Sequence, residues 1–267
     1  MTISEQVVTE AKNPWSSNEM MTIAASRSLK NGMICFVGIG IPSTAAILAK
    51  SMHAPDICLM YESGTFNTNP ASLPLSIGDG ELASKALTVV GMPEVFNYWL
   101  QAGRIDMGFL GAAQVDKFGN INTTIIGKDY QNPKVRLPGA GGAPEIAGAC
   151  KEVIIIVKHS ARAFVEKVDF ITSVGFGDGP GYRERHGLIG GGPSAVITDL
   201  GILRPNKESC ELELVQLHPG VTVEVVKENT GWDLKISKDL MITQDPTEAE
   251  LKKVRELVAT LKKAPKD

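Results

Sequence analysis

A chain of 267 residues with a formal net charge of -3 cannot rely on a basic face, which argues against a nucleic-acid binder. The length suits one large α/β domain, or two small ones, with an ample core. Four cysteines, Cys35, Cys58, Cys150 and Cys210, lie far apart without a Cys-x-x-Cys pair, so reduced thiols in a cytosol are expected rather than disulfides or zinc. Met1–Asn18 is polar with no apolar signal core, and no later apolar run is long enough to span a bilayer. A soluble cytoplasmic protein with no membrane partner is expected.

Taken in chain order, Ser17 or Asn18 can cap a helix running through Lys30, with Met20, Ile23, Ala24 and Leu29 as its apolar stripe and Asn31-Gly32 as its stop. Met33–Val37 reads as a buried strand, Ser43–Met52 as a helix and Ile57–Tyr61 as the next buried strand. Strand–helix–strand order implies a parallel sheet with helices on its faces. Further strands are expected at Ala86–Val90, Met107–Leu110, Val153–Val157 and Ala195–Thr198, and a short helix at Glu94–Gln101. Asp116–Asn120 reads as a tight hairpin turn, with Ile121–Ile126 returning as a strand. Phe176–Pro193, dense in Gly and Pro, reads as a long ordered loop. Thr247–Lys263 reads as an amphipathic helix with Leu251, Val254, Leu257, Val258 and Leu261 on one side. A single domain over 1–267 is the simplest account, with 1–17 as an N-terminal extension and 247–267 as a peripheral C-terminal helix.

Glu62 is the best chemical group in the chain. It follows a buried strand at once, and Ser63-Gly64 then breaks the chain into a loop. A carboxylate at the C-terminal end of a strand, with glycine beside it, faces the usual ligand crevice of an open α/β sheet; the alternative is a solvated strand-end glutamate. Three glycine-rich turns accompany it. Gly38-Ile39-Gly40-Ile41-Pro42-Ser43 nearly matches the dinucleotide fingerprint, but Ser43 replaces the third glycine and Pro42 removes an amide donor. Pro138–Pro144 carries almost no side chains and admits no helix through it. It either approaches a ligand, with amides suited to an oxyanion, or packs as a tight crossover. Gly175–Gly192 carries Arg183 and Arg185, which suit a phosphate or carboxylate but more simply pair with Asp178 and Glu184. His53, His159, His186 and His218 have no metal-ligand spacing, and neither a nucleophile elbow nor a P-loop occurs, so no metal site is expected.

Together these segments resemble the β subunit of family I CoA-transferases, most closely its glutaconate branch. The match is carried by Val37–Pro42, Glu62-Ser63-Gly64, Gly111–Asp116 with Gly119–Asn122, Gly139–Ala143, and Asp178–Gly181 with Arg183-Glu184-Arg185. Pro219–Thr222 and Asn229–Leu234 extend it, so it runs from Asn18 to beyond Leu240. Two departures are Ala112, where the glutaconate pattern has Gly, and Thr65–Thr68 after the signature.

The resemblance implies a three-layer α/β fold with an open, mostly parallel sheet, shared with sugar-phosphate isomerases. It makes Glu62 the covalent nucleophile, assigns Gly139, Gly141, Gly142 and Ala143 to the oxyanion hole and CoA contacts, and leaves Gly38, Gly40, Ser63 and Gly64 for the acyl or CoA pocket. No permanently bound cofactor is implied; a coenzyme A thioester is the substrate, with a carboxylic acid as acceptor. The partner implied is a CoA-transferase α subunit, in an αβ heterodimer that assembles further. Two alternatives remain open at this level. One is a CoA-ester hydrolase or decarboxylase of the same fold, and the other a nucleotide or sugar-phosphate binding module.

Overall fold

The structure, a computed structural model, describes residues 13–261. Residues 1–12 of the expected extension, and the last residues of the expected tail helix, lie outside the described residues. Helix α1 (Ser17–Arg27) is opened by Ser16, one residue earlier than expected. The Ser16 hydroxyl accepts from Glu19 N–H, and the Glu19 carboxylate accepts from Ser16 N–H at 2.7 Å, a reciprocal capping box. The helix ends at Arg27 rather than Lys30, its carbonyls closed by the Ser28 amide.

Strand β1 (Ile34–Phe36), helix α2 (Ile41–Met52) and strand β2 (Cys58–Met60) follow as expected, with short β3 (Thr65–Phe66) folding back on β2. Helix α3 (Gly80–Ser84) starts on the side chain of Asp79, and β4 (Thr88–Val89) pairs with β3. The helix expected at Glu94–Gln101 is instead a single α turn, α4 (Met92–Glu94), running into a π-helical turn over Val95–Leu100. Strand β5 (Met107–Gly111) leads into the hairpin β6 (Gln114–Val115) and β7 (Ile121–Asn122), closed by Gly119 N–H on Asp116 O at 2.9 Å. The return strand stops early. Asn122 Oδ1 accepts from Thr124 N–H at 3.0 Å, so the chain turns and β8 (Ile125–Ile126) pairs with β9 (Val135–Arg136) instead.

Helix α5 (Ala143–Ala149), β10 (Glu152–Ile156), α6 (Tyr182–Arg185) and β11 (Pro193–Ile197) complete the middle of the chain. The Gly/Pro-dense segment is thus an ordered loop with one helical turn inside it. Unforeseen are β12 (Gly201–Pro205), β13 (Leu212–Leu217), helix α7 (Val223–Glu228) and β14 (Lys235–Ile242).

All the principal strands form one ten-stranded sheet in the order β14-β13-β12-β11-β10-β5-β1-β2-β3-β4. From β11 to β2 every neighbour is parallel, and antiparallel pairs flank this block on both sides. The chain passes from β1 to β2 on one side, then returns to lay β5 on the other. The topological switch point, where such sheets receive ligands, therefore lies between the C-terminal ends of β1 and β5, with the end of β2 next to it on the far side of β1.

Helices cover both faces. Met20, Ile23, Ala45 and Leu48 of α1 and α2 pack on one face with Leu251, Val254 and Leu257 of α8 (Glu248–Leu261). The other face holds Val95, Leu100, Ile146, Ala149 and Phe164. The terminal helix is therefore part of a core layer. Its stripe is narrower than expected, because Val258 and Leu261 stay 39% and 38% exposed. Residues ahead of α1 are packed too: Asn13 Nδ2 donates to Pro219 O and Arg255 Nη2 to Pro14 O. Among the described residues no helix is long and apolar enough to cross a membrane, and no group of three acidic, His or Cys residues is placed to hold a metal. All four cysteines are free.

Candidate active site

Glu62 occupies the tip of a tight turn whose shape is dictated by the residue two positions on. Gly64 N–H donates to Tyr61 O at 3.0 Å and Tyr61 N–H to Thr65 O at 3.1 Å, so Glu62 and Ser63 project from the closure. Gly64 sits at φ +96, and a Cβ there would overlap the Val90 carbonyl oxygen and stand 3.0 Å from its carbon. Only glycine lets β2, β3 and the segment after β4 meet at this point. Tyr61, the residue before the carboxylate, is fully buried and its hydroxyl lies 3.0 Å from Ser43 Oγ. Glu62 itself is half-buried. Ser63 Oγ and Thr65 Oγ1, in the same turn, are buried hydroxyls without a hydrogen-bond partner among the described residues.

The loop before α5 closes on this turn. A Cβ built on Gly142 would stand 3.2 Å from Glu62 Oε1 and 2.7 Å from Phe96 Cζ, so the glycine is pinched between the carboxylate and an aromatic ring. Phe96 belongs to the π-helical turn and meets Phe36 edge-on, with ring centroids 6.0 Å apart. Gly139 and Gly141 have φ of +103 and +51, and a Cβ on either would meet nothing within 4 Å. Their need for glycine is conformational, and they border open space. Thr123 grips the loop's start twice: Gly139 N–H donates to Thr123 O at 2.9 Å, and Thr123 Oγ1 to Gly139 O at 2.8 Å. Helix α5 begins at Ala143, inside the last two residues of the segment expected to exclude a helix; Pro144 falls in its first turn, where a missing N–H costs nothing. Its N-cap Gly142 offers no side-chain cap.

Gly38 and Gly40 follow β1, the strand beside β2. Ser43 Oγ donates to Gly38 O at 2.8 Å, Gly40 sits at φ +89, and a Cβ on either glycine would meet nothing within 4 Å. The first two glycine-rich turns therefore lie with Glu62 around the C-terminal ends of β1 and β2.

The third turn serves elsewhere. Arg185 pairs with Asp178 at 2.7 Å on the surface, as the simpler reading expected. Arg183 does not pair with Glu184. It is buried, and its guanidinium donates to the carbonyls of Gly190, Gly175, Ala147 and Gly148. Two of those carbonyls end α5, so a cation caps the C-terminus of the helix whose N-terminus abuts Glu62. Burial pushes the Arg183 pKa down, with the nearby Glu184 carboxylate opposing it.

Three contributors escape sequence reasoning: Phe96, Thr123 and the Ser43–Tyr61 contact. The period-3.6 pattern around Phe96 gives a helix but not its π register, and the other two are contacts between distant segments.

A half-buried carboxylate against a glycine-lined helix start, one strand from the switch point of a parallel sheet, is suited to attack on an acyl carbon held in the open space beside it. The sequence profile of the Coenzyme A transferase family matches residues 18–229, and the chain belongs to that family. It is 61% identical over 245 residues to one subunit of the 3-oxoadipate CoA-transferase of Pseudomonas knackmussii, covering 92% of this chain and 94% of that one. It is 39% identical over 249 residues to one subunit of the glutaconate CoA-transferase of Acidaminococcus fermentans, covering 91% and 92%. The crystal structure of the glutaconate coenzyme A-transferase from the latter organism superposes with a TM-score of 0.85 at 35% identity, over 92% of this chain and 95% of the other. The enzyme class expected from the motifs is thus borne out: the chain is a CoA-transferase chain, similar along its length to single subunits of these two enzymes.

Proposed function

We propose that this chain is the β subunit of a heteromeric acyl-CoA:carboxylate CoA-transferase in which Glu62 is the covalent nucleophile. The observation that supports it best is the approach of Gly142 to Glu62 Oε1, which sets the glycine-rich start of α5 beside a carboxylate at the end of the strand next to the switch point. Glu62 attacks the thioester carbonyl, forming a mixed anhydride and releasing CoA thiolate. The thiolate attacks the glutamyl carbonyl, which frees the donor acid and leaves a glutamyl-CoA thioester. The acceptor carboxylate then attacks that thioester to give a new anhydride, and the thiolate, released again, attacks the acceptor's acyl carbon and regenerates Glu62. Acyl activation is conserved at every stage, and the scheme is ping-pong. The Gly139 and Ala143 N–H groups already donate to Thr123 O and Ala140 O, so Gly141 and Gly142 supply the oxyanion contact and Gly139 and Ala143 the CoA contacts. Gly38 and Gly40 leave room for the acyl chain, while Ser63 and Gly64, the latter packed on the Val90 carbonyl, shape the turn that carries Glu62. The similarity to the 3-oxoadipate enzyme supports a dicarboxylic 3-oxo acid as the acyl group.

The partner is an α subunit. Leu87 and Tyr98, 73% and 63% exposed, with Val89 and Met92 form an apolar fringe on the edge strand and helix next to the Glu62 turn. Tyr98 is exposed, whereas Phe66 and Trp99 are half-buried against each other with ring centroids 4.6 Å apart. No resident cofactor takes part, and the enzyme is cytoplasmic. The test is to incubate the αβ complex with acyl-CoA, reduce with borohydride and map peptides. Reduced Glu62 is expected; its absence under turnover overturns covalent transfer. Glu62→Gln abolishes exchange with the fold intact, and CoA release at full rate without an acceptor acid would indicate hydrolysis instead.

A further inference from the structure

We propose that Ser43 and Tyr61 are positioning residues for Glu62, forming a buried hydrogen-bond chain that locks the nucleophile's turn to the neighbouring glycine loop. The inference rests on the Glu62 reading above. Ser43 Oγ lies 2.8 Å from Gly38 O and 3.0 Å from the Tyr61 hydroxyl. A carbonyl only accepts, so the Ser43 proton goes to Gly38, and Tyr61 must donate to Ser43. That single direction satisfies all three groups. Both side chains are fully buried, and burial pushes the Tyr61 hydroxyl up to about 12, so it remains a donor throughout the working range.

The placement gives the chain its role. Tyr61 immediately precedes Glu62, and Gly38 follows the end of β1, so the bonds tie together the C-terminal ends of two adjacent parallel strands. The carboxylate must attack one carbonyl and later be attacked at its own carbon, which demands a fixed direction without a side-chain partner to occupy its oxygens. Bracing the backbone one residue upstream meets that demand. It also accounts for Ser43 where a dinucleotide fingerprint asks for glycine: the hydroxyl reaches back across its own loop, and its proton is committed to Gly38.

The test uses the αβ complex with Tyr61→Phe, Ser43→Ala and the double variant. Four quantities are read: kcat, KM for acyl-CoA, thermal midpoint, and the rate at which a water-soluble carbodiimide with an amine modifies Glu62, located by peptide mapping. In Tyr61→Phe, Ser43 keeps its bond to Gly38, so the midpoint moves little while kcat falls roughly tenfold or more at unchanged KM. Ser43→Ala leaves the buried Tyr61 hydroxyl unpaired and lowers the midpoint by about 2–8 °C. Adding Tyr61→Phe recovers most of that midpoint without recovering kcat. A purely structural pair would behave otherwise, with kcat returning alongside the midpoint, and that result overturns the proposal. Wild-type kcat in Tyr61→Phe overturns it as well. Should the wild-type complex show no exchange, the Glu62 reading fails, and the carbodiimide rate decides alone: a changed rate in Tyr61→Phe supports positioning, and an unchanged one overturns it.

Discussion

Gly142→Ala isolates the contact on which the site depends. The residue has φ -83 and ψ 3, a conformation alanine adopts freely, so the backbone itself imposes no strain. All the cost comes from the new methyl. Its carbon would stand 2.7 and 2.9 Å from Phe96 Cζ and Cε1, against an ordinary carbon contact of about 3.7 Å, so the ring must withdraw by roughly 1 Å. Phe96 is only half-buried and can rotate outward, which places the overpacking cost near the low end, about 1 kcal/mol, or a midpoint lower by about 2–4 °C. The functional cost is larger. The methyl also lies 3.2 Å from Glu62 Oε1, so the carboxylate moves aside by a few tenths of an ångström, and as the proposed nucleophile it then loses about ten- to a hundredfold in rate. Exchange kinetics on the αβ complex and calorimetry of the same samples read the two effects. Adding Phe96→Leu removes the ring clash and should recover the midpoint while leaving the rate low. A Gly142→Ala enzyme with the wild-type exchange rate would refute the claim that Gly142 and Glu62 form one site.

Gly64→Ala should be worse for stability, since it combines positive-φ strain with overlap on the Val90 carbonyl and loss of the Val90 N–H to Gly64 O bond; about 3 kcal/mol or more is expected, and a melt within 2 °C or so of wild type contradicts it. Arg183→Ala strands three buried carbonyl contacts and one partly buried one and should cost about 3 kcal/mol, with Arg183→Lys giving little rescue, whereas Arg185→Ala should cost under about 1 kcal/mol; equal losses by urea denaturation refute the distinction. His159, its Nε2 bonded to Thr230 and its ring stacked on Phe164, is pulled down to about 4 by burial, with Asp199 acting the other way. Its folded value lies below the unfolded value of about 6.5, so its contribution is complete above that pH and is lost as pH falls through about 4, up to about 3 kcal/mol in all. His218, bonded to the Thr198 carbonyl, shifts in the same direction. The acid arm of stability against pH should be shallower in His159→Gln, and an unchanged slope removes His159 from the account.

Sequence and structure agree where a local rule is strong. The strands β1, β2, β5, β10 and β11 are apolar runs bounded by breakers, and a parallel sheet buries both their faces, so composition alone reveals them. Glu62 was legible because the strand before it and the glycine after it are both local. By contrast, β13 carries Leu212 and Leu214 between Glu211, Glu213 and Val215, an alternation present in the sequence but interrupted at Val215 and Gln216, where the structure shows a register shift. Arg183 and Arg185 look alike in their loop; burial separates them, and burial is decided by α5 and β11 arriving from elsewhere. The closure of Gly142 onto Glu62 is of the same kind. No local pattern encodes it, and only the shared family order of motifs brought the two segments into one expectation.

The distribution of glycine around Glu62 carries the remaining argument. Gly142 is filled on both sides, by Phe96 and by the carboxylate, whereas Gly38, Gly40, Gly139 and Gly141 border space that no other part of the described chain enters. One wall of the site is therefore tightly packed and the other is open. A glutamyl anhydride or thioester facing open water would be hydrolysed, and the transferase would waste its acyl donor. The packed wall cannot prevent this, because it stands behind the carboxylate. In the proposed function, water is excluded by what enters the open side: the pantetheine arm of CoA, passing small residues that admit it closely, and an α subunit covering the apolar fringe at Leu87, Val89, Met92 and Tyr98. In the proposed enzyme this chain then supplies the nucleophile and the geometry, and its neighbour supplies the dryness that makes the chemistry a transfer.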